Sequence, residues 1–156
     1  MGYCLLRLAG MAHVKYFPAG WSEWVSDESR PTVRFISGDE LKILVEREQR
    51  WPWADSPMEA FVFLDVRHEA DHSKGHIPGS VVLTSRLVVD SLDVYMDRYW
   101  PGADRTTIPF VSHCYGPECI RSRHTSTDAA RAGFRDIQRF YGGMVEWRQV
   151  SGRIAK

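Results

Sequence analysis

The sequence predicts an α/β fold: a mostly parallel sheet of about five strands flanked by helices on both sides. Three observations carry this. Short apolar runs such as Phe61, Val62, Phe63 and Leu64 lack polar alternation, the pattern of strands buried on both faces. Such runs alternate with segments of helical periodicity through short connections, which implies parallel crossovers. The chain has 156 residues, 44% of them hydrophobic, with six Trp, six Tyr and seven Phe, which suits one domain with a sizeable core.

In chain order, residues 1–34 read as an irregular extension packed on the domain, aromatic at Tyr16, Phe17, Trp21 and Trp24 and broken by Pro18, Gly20 and Pro31. The domain proper is expected over 35–156. Near the start, the apolar run from Tyr3 to Leu6 stops at Arg7, short of the roughly 7 to 15 apolar residues of a secretory core. No window reaches the ~20 apolar residues of a membrane span, so a cytoplasmic protein is expected. Met11 is an alternative start.

Ser37 and Glu40 have capping-box spacing, and Leu41, Leu44 and Val45 follow at helical spacing, predicting a helix over 38–49. A loop with Pro52 and Pro57 leads to the strand over 61–64, which ends at Asp65. A short polar helix stopped by Gly75, a strand over 80–83 and a helix over 85–99, ended by Pro101 and Gly102, come next. The third strand covers 108–113 with Pro109 at its beginning, where a missing donor is tolerated. A helix over 122–132 closed by Gly133, a strand over 136–140 and a helix over 143–149 complete the pattern.

Charge narrows the function. Lys plus Arg (20) equals Asp plus Glu (20), so no global field draws the chain to nucleic acid or membrane, and any anion site must be local. Three cysteines, Cys4, Cys114 and Cys119, are too few and odd for a disulfide framework, which points to a reducing compartment or a working thiol.

In an open parallel sheet, ligands bind at the carboxyl ends of the strands, where Cys114 falls. Its loop contains Tyr115, Gly116, Pro117, Glu118 and Ile120 before the helix near Ser122. A curled loop backbone and a helix N-terminus both favour an anion and should depress the Cys114 pKa, with Arg121 as a third contributor. A thiolate is a nucleophile. The plainer alternative is a small buried cysteine. A zinc site from His113, Cys114, Cys119 and His124 is a further alternative, opposed by ligand spacing and by His113 pointing away from Cys114.

Residues 63–80, FLDVRHEADHSKGHIPGS, and residues 140–147, FYGGMVEW, together with the loop from Cys114 to Ser122, resemble a single-domain rhodanese, a sulfurtransferase. The resemblance covers the chain from about Ser37 to its end and implies the rhodanese-like three-layer fold. It also implies a mechanism: a small thiosulfate-, polysulfide- or persulfide-type donor passes sulfane sulfur to Cys114, and a thiol, cyanide or protein thiol removes it. No metal or organic cofactor is needed. Arg121 would orient the donor and hold the loop, and Ser122 would cap the helix or donate to the sulfur. Asp65 and Arg67 read as a structural ion pair, His76 as a loop-bracing hydrogen-bonder and Trp147 as core.

The six residues YGPECI between Cys114 and Arg121 make a longer loop than the usual rhodanese one, and at the usual spacing the arginine's place falls on Cys119. Cys119 is a candidate to resolve a persulfide by pairing with Cys114, or to carry the sulfur, or simply to pack. Two other function classes stay open. One is a rhodanese-fold cysteine phosphatase or arsenate reductase, disfavoured by Glu118 in the loop and by the lack of an assignable acid. The other is a non-catalytic module that senses redox or sulfide status.

Overall fold

A computed structural model of the chain describes residues 31–48, 57–84, 88–150 and 153–156. The extension through residue 30, Cys4 included, and most of the loop before Pro57 lie outside the described residues. The remainder forms one five-stranded sheet in the order β1-β5-β4-β2-β3, with every pairing parallel. In chain order the elements are β1 (Thr32–Ile36), α1 (Gly38–Glu48), β2 (Val62–Asp65), α2 (Glu69–His72), β3 (Val81–Val82), α3 (Val88–Tyr99), β4 (Phe110–His113), α4 (Arg121–Arg131), β5 (Asp136–Phe140) and α5 (Gly143–Val150).

The predicted alternation is therefore present, with one strand more than the sequence revealed element by element. β1 begins at Thr32, inside the segment expected to be irregular up to Arg34, and pairs with β5 from Thr32↔Asp136 to Ile36↔Phe140. It carries no sequence signal because it is an edge strand with Val33, Arg34 and Phe35 exposed, so no buried run marks it.

β2 and β4 are buried along their whole length, including Asp65, Ser112 and His113 at their carboxyl ends, as strands covered on both faces are. Side-chain alternation then sorts the interior into two layers. Val62, Leu64, Phe110 and Ile137 meet Leu92 and Met96 of α3 and Ala129 of α4. Phe63, Val111 and Phe140 meet Leu41 and Val45 of α1 and Met144 and Trp147 of α5. Each fully buried large side chain contributes about 1.5–3 kcal/mol relative to exposure. Trp147 is core, as expected, and its indole N–H donates to the Arg153 carbonyl at 2.7 Å.

The termini of two helices show local chemistry acting as read. Ser37 N–H donates to Glu40 Oε2 at 2.8 Å and Glu40 N–H donates to Ser37 Oγ at 3.3 Å, the reciprocal capping box that starts α1. Gly133 follows α4 at φ +100°, a conformation that stops a helix and that only glycine adopts cheaply. Pro109 sits just before β4, and its carbonyl accepts the Val62 N–H at 2.9 Å. Among the described residues no helix is long and apolar enough to cross a membrane.

Candidate active-site loop

The carboxyl ends of β2 and β4 lie side by side, with Asp65 in register with His113. Cys114 is the next residue and is 1% exposed. The chain then turns back at Tyr115, Gly116, Pro117 and Glu118, with Cys119 N–H donating to Gly116 O at 3.1 Å. This turn brings the two cysteines together: Cys114 and Cys119 form a disulfide with their Cα atoms 6.2 Å apart. The cysteine count argues against a disulfide framework across the domain; the bond found among the described residues closes its own short loop.

Polar capacity is left over at this place. The backbone N–H groups of Tyr115, Gly116 and Glu118 find no acceptor among the described residues. The N-cap of α4 is Ile120, with helical dihedrals (φ −73°, ψ −17°) and no side-chain cap, so the donors of the first helical turn stay open. Ser122 is not the cap that was expected. It is the second residue of α4, buried, and its hydroxyl accepts a hydrogen bond from Arg139 Nε at 2.8 Å.

Arg139, not Arg121, holds the loop. From β5 it donates to Ser122 Oγ and, through Nη2, to the Cys119 carbonyl at 3.1 Å. Arg121 opens α4, and its side chain makes no hydrogen bond or ion pair among the described residues; its charge reaches Tyr115. The sequence concealed Arg139 because strand register, Ser112↔Arg139, is what carries it to the loop. The one signal it offered was a cation inside the otherwise strand-like run Ile137 to Phe140.

Beneath the loop, Asp65 is fully buried and is the hub of the expected ion pair. Arg67 donates Nε to both carboxylate oxygens at 3.0 Å, Nη2 to Oδ2 at 2.6 Å, and its backbone N–H to Oδ1 at 3.0 Å. His72 donates Nδ1–H to Oδ2 at 3.0 Å. Arg67 also reaches the Gly75 carbonyl and lies 5.8 Å from the ring centre of Tyr115, whose hydroxyl donates to Asp71. The loop is thus tied to the end of β2 and to α2. His76 braces the next turn, exchanging backbone hydrogen bonds with Ala155 at 3.0 Å in both directions.

The pair of glycines before α5 explains how the loop is gripped from the other side. Met144 N–H donates to Cys114 O at 3.0 Å and Val145 N–H to Tyr115 O at 3.1 Å. Such contact needs Gly143: a Cβ there would lie 2.4 Å from Cys114 O and 2.8 Å from Gly116 N, at φ +56°. The positive end of α5 therefore meets the first two loop carbonyls directly.

Burial opposes ionisation of Asp65, but the charge of His113 when protonated, the His72 bond and the paired Arg67 outweigh it and hold the carboxyl well below its usual range. His113 is itself kept neutral, because burial lowers its pKa more than Asp65 raises it. The direct Arg67 and His72 bonds therefore carry most of the effect on Asp65. Both groups make the protein acid-sensitive. Unfolded His113 takes a proton near about pH 6.5 and an unfolded carboxyl near about 3.9, each at higher pH than in the folded state, so stability is present above those values and lost as pH falls through them. The urea midpoint should fall between pH 7 and 5, and His113→Asn should flatten that stage; an unchanged slope in the variant removes His113 as its source.

The family model for the rhodanese-like domain matches residues 51–150. A helix-turn-helix-type transcriptional regulator of Mycobacterium tuberculosis is 30% identical over 86 residues, 54% of this chain and 33% of the regulator, so the chain spans about a third of that curated relative. Among solved structures, a Rhodanese_3-like domain from Anabaena sp. superposes with a TM-score of 0.51 at 22% identity, covering 62% of this chain and all of that one. A rhodanese-like domain protein from Staphylococcus aureus gives 0.52 at 20% identity, covering 73% and 90% of the two chains. A protein from Bacillus halodurans gives 0.58 at 17% identity, covering 87% and 83%. At these identities the three structures bear on the fold.

Proposed function

The chain belongs to the rhodanese-like domain family, and on that premise we propose that it moves sulfane sulfur through a persulfide on Cys114. The observation that carries this reading is the setting of Cys114: a buried sulfur at the carboxyl end of β4, at the mouth of a loop whose Tyr115, Gly116 and Glu118 N–H groups find no acceptor among the described residues, and beside the uncapped start of α4. Open N–H groups stabilise negative sulfur better than neutral sulfur.

In the disulfide state Cys114 has no thiolate, so the cycle begins with reduction by a dithiol. The Cys114 thiolate then attacks the sulfane sulfur of a thiosulfate, polysulfide or persulfide. The donor's S–S bond breaks, and sulfite or a shorter thiolate leaves with the electron pair. Cyanide, a small thiol or a protein thiol takes the terminal sulfur and returns the thiolate. Without an acceptor, the Cys119 thiolate attacks Cys114 Sγ, forming the disulfide and releasing hydrosulfide. Arg139 keeps Cys119 in reach, and Arg121 is left to meet the donor's charge.

Reduced protein incubated with thiosulfate should gain the mass of one sulfur, ~32 Da, and lose it to cyanide with release of thiocyanate. No adduct with thiosulfate, tetrathionate or an organic persulfide would overturn the reading. Cys119→Ser should let the persulfide persist at least about tenfold longer, since the internal resolving thiol is gone; equal decay returns Cys119 to a packing role.

The disulfide itself favours a second reading, a module whose dithiol pair reports redox or sulfide status, in keeping with the curated relative's being a transcriptional regulator. Rapid uptake of sulfur with no turnover to any acceptor would favour it. A phosphatase or arsenate reductase draws less support, because Glu118 stands in the loop and Arg121 is not bonded to it.

A further inference from the structure

Helix α4 packs on β4 and β5, and among the described residues nothing covers the same side of edge strand β1 fully. The result is a cleft of about 360 Å³ lined by Val33, Phe35, Arg123, Ser126, Thr127 and Arg139. We propose that this cleft binds a small organic anion with an apolar body, the carboxylate held between Arg123 and Arg139 and the body resting on Val33 and Phe35. The proposal is independent of the sulfur chemistry.

The volume falls in the range of small-molecule sites, about 300–1,000 Å³. Its floor is apolar and in water: Val33 is 44% and Phe35 66% exposed, and as residues i and i+2 of a strand they face the same way. Its upper wall is cationic and unbalanced. Among the described residues no acidic side chain lines the cleft, and Asp136 of β5 is engaged with Arg34 at 3.6 Å and Gln138 at 3.1 Å. The Arg123 side chain makes no hydrogen bond or ion pair among the described residues and opposes the charge of Arg139, which burial already disfavours.

Arg139 is held in place for such a role. Its Nε and Nη2 are occupied on the loop side, its guanidinium lies 5.9 Å from the Phe35 ring centre and 5.2 Å from that of Tyr141, and Nη1 makes no hydrogen bond among the described residues. The ring below and the free edge of the guanidinium present an apolar surface and a charged donor about one side-chain length apart, which is the shape of an aryl-alkyl carboxylate. The hydroxyls of Ser126 and Thr127 donate to Ser122 O and Arg123 O within their own helix, so they supply no competing charge.

The test is amide chemical-shift titration of the ¹⁵N-labelled full chain with 3-phenylpropanoate, 3-phenylpropan-1-ol and 3-phenylpropylamine at matched ionic strength. The carboxylate should give saturable shifts at Val33, Phe35, Arg123, Ser126 and Thr127; the alcohol should bind about tenfold more weakly, the value of a charge-assisted pair, and the amine not at all. Arg123→Gln and Phe35→Ser should each weaken carboxylate binding about tenfold while leaving the thermal midpoint and sulfur loading as in wild type. Equal affinity for alcohol and carboxylate, or undiminished affinity in Arg123→Gln, overturns the proposal. Because the readout is binding, it stands or falls apart from persulfide formation.

Discussion

Cys114→Ser is expected to take up no sulfur from thiosulfate or a persulfide while remaining folded. A serine hydroxyl stays protonated at neutral pH and is a poor nucleophile toward sulfur, whereas the thiolate it replaces is the attacking group. The structural cost is modest. The side chain keeps its shape, and a hydroxyl buried against the apolar residues around Cys114 costs about 1–3 kcal/mol unless it finds a partner. Losing a disulfide that closes so short a loop removes about 2 kcal/mol in the chain-entropy model, a difference that disappears if both proteins are compared reduced. The measurement is intact mass after exposure of the reduced proteins to donor. An adduct on Cys114→Ser equal to that of wild type would falsify the assignment and move the carrier to Cys119, which the double variant Cys114→Ser, Cys119→Ser would then confirm by losing it.

What could be read in advance was whatever local chemistry determines. The capping box at Ser37, the apolar run of β2, Pro109 ahead of β4 and the Asp65–Arg67 pair all depend on neighbours in sequence, and all are present. The Gly142-Gly143 pair was visible as part of a motif, but its purpose, to let α5 touch the loop backbone, needed the fold. Three features were not legible, two because pairing across the sheet creates them and one because of the loop's length. β1 is a half-exposed edge with no buried run. Arg139 becomes a loop residue only through its register with Ser112. Arg121 looked like the loop's arginine by position, yet the longer loop shifts it onto the helix and leaves the grip to a cation from β5.

That grip is two-sided, and the α5 side can be tested by Gly143→Ala. The new Cβ would lie 2.4 Å from Cys114 O, 2.8 Å from Gly116 N and 2.8 Å from the Tyr115 carbonyl carbon, all backbone atoms that no rotamer change can move aside. The residue would also have to keep φ at +56°. A left-handed alanine costs about 1–2 kcal/mol, and overpacking a rigid site adds about 1–3, so a loss of about 3 kcal/mol is expected. For a domain of this size that is a fall of roughly 10 °C in Tm. Relief by pushing the loop away would stretch the bonds from Met144 and Val145 to Cys114 O and Tyr115 O, so sulfur loading should slow by about tenfold or more as the buried sulfur loses its setting. Gly102→Ala separates the two costs. Gly102 sits at φ +76° with nothing within 4 Å of where a methyl group would stand, so its variant carries the backbone strain alone. It should lower Tm by about half as much and leave loading unchanged. If Gly143→Ala behaves like Gly102→Ala, contact between α5 and the loop is not what positions Cys114; if it loses both stability and loading, the helix end is part of the site's construction.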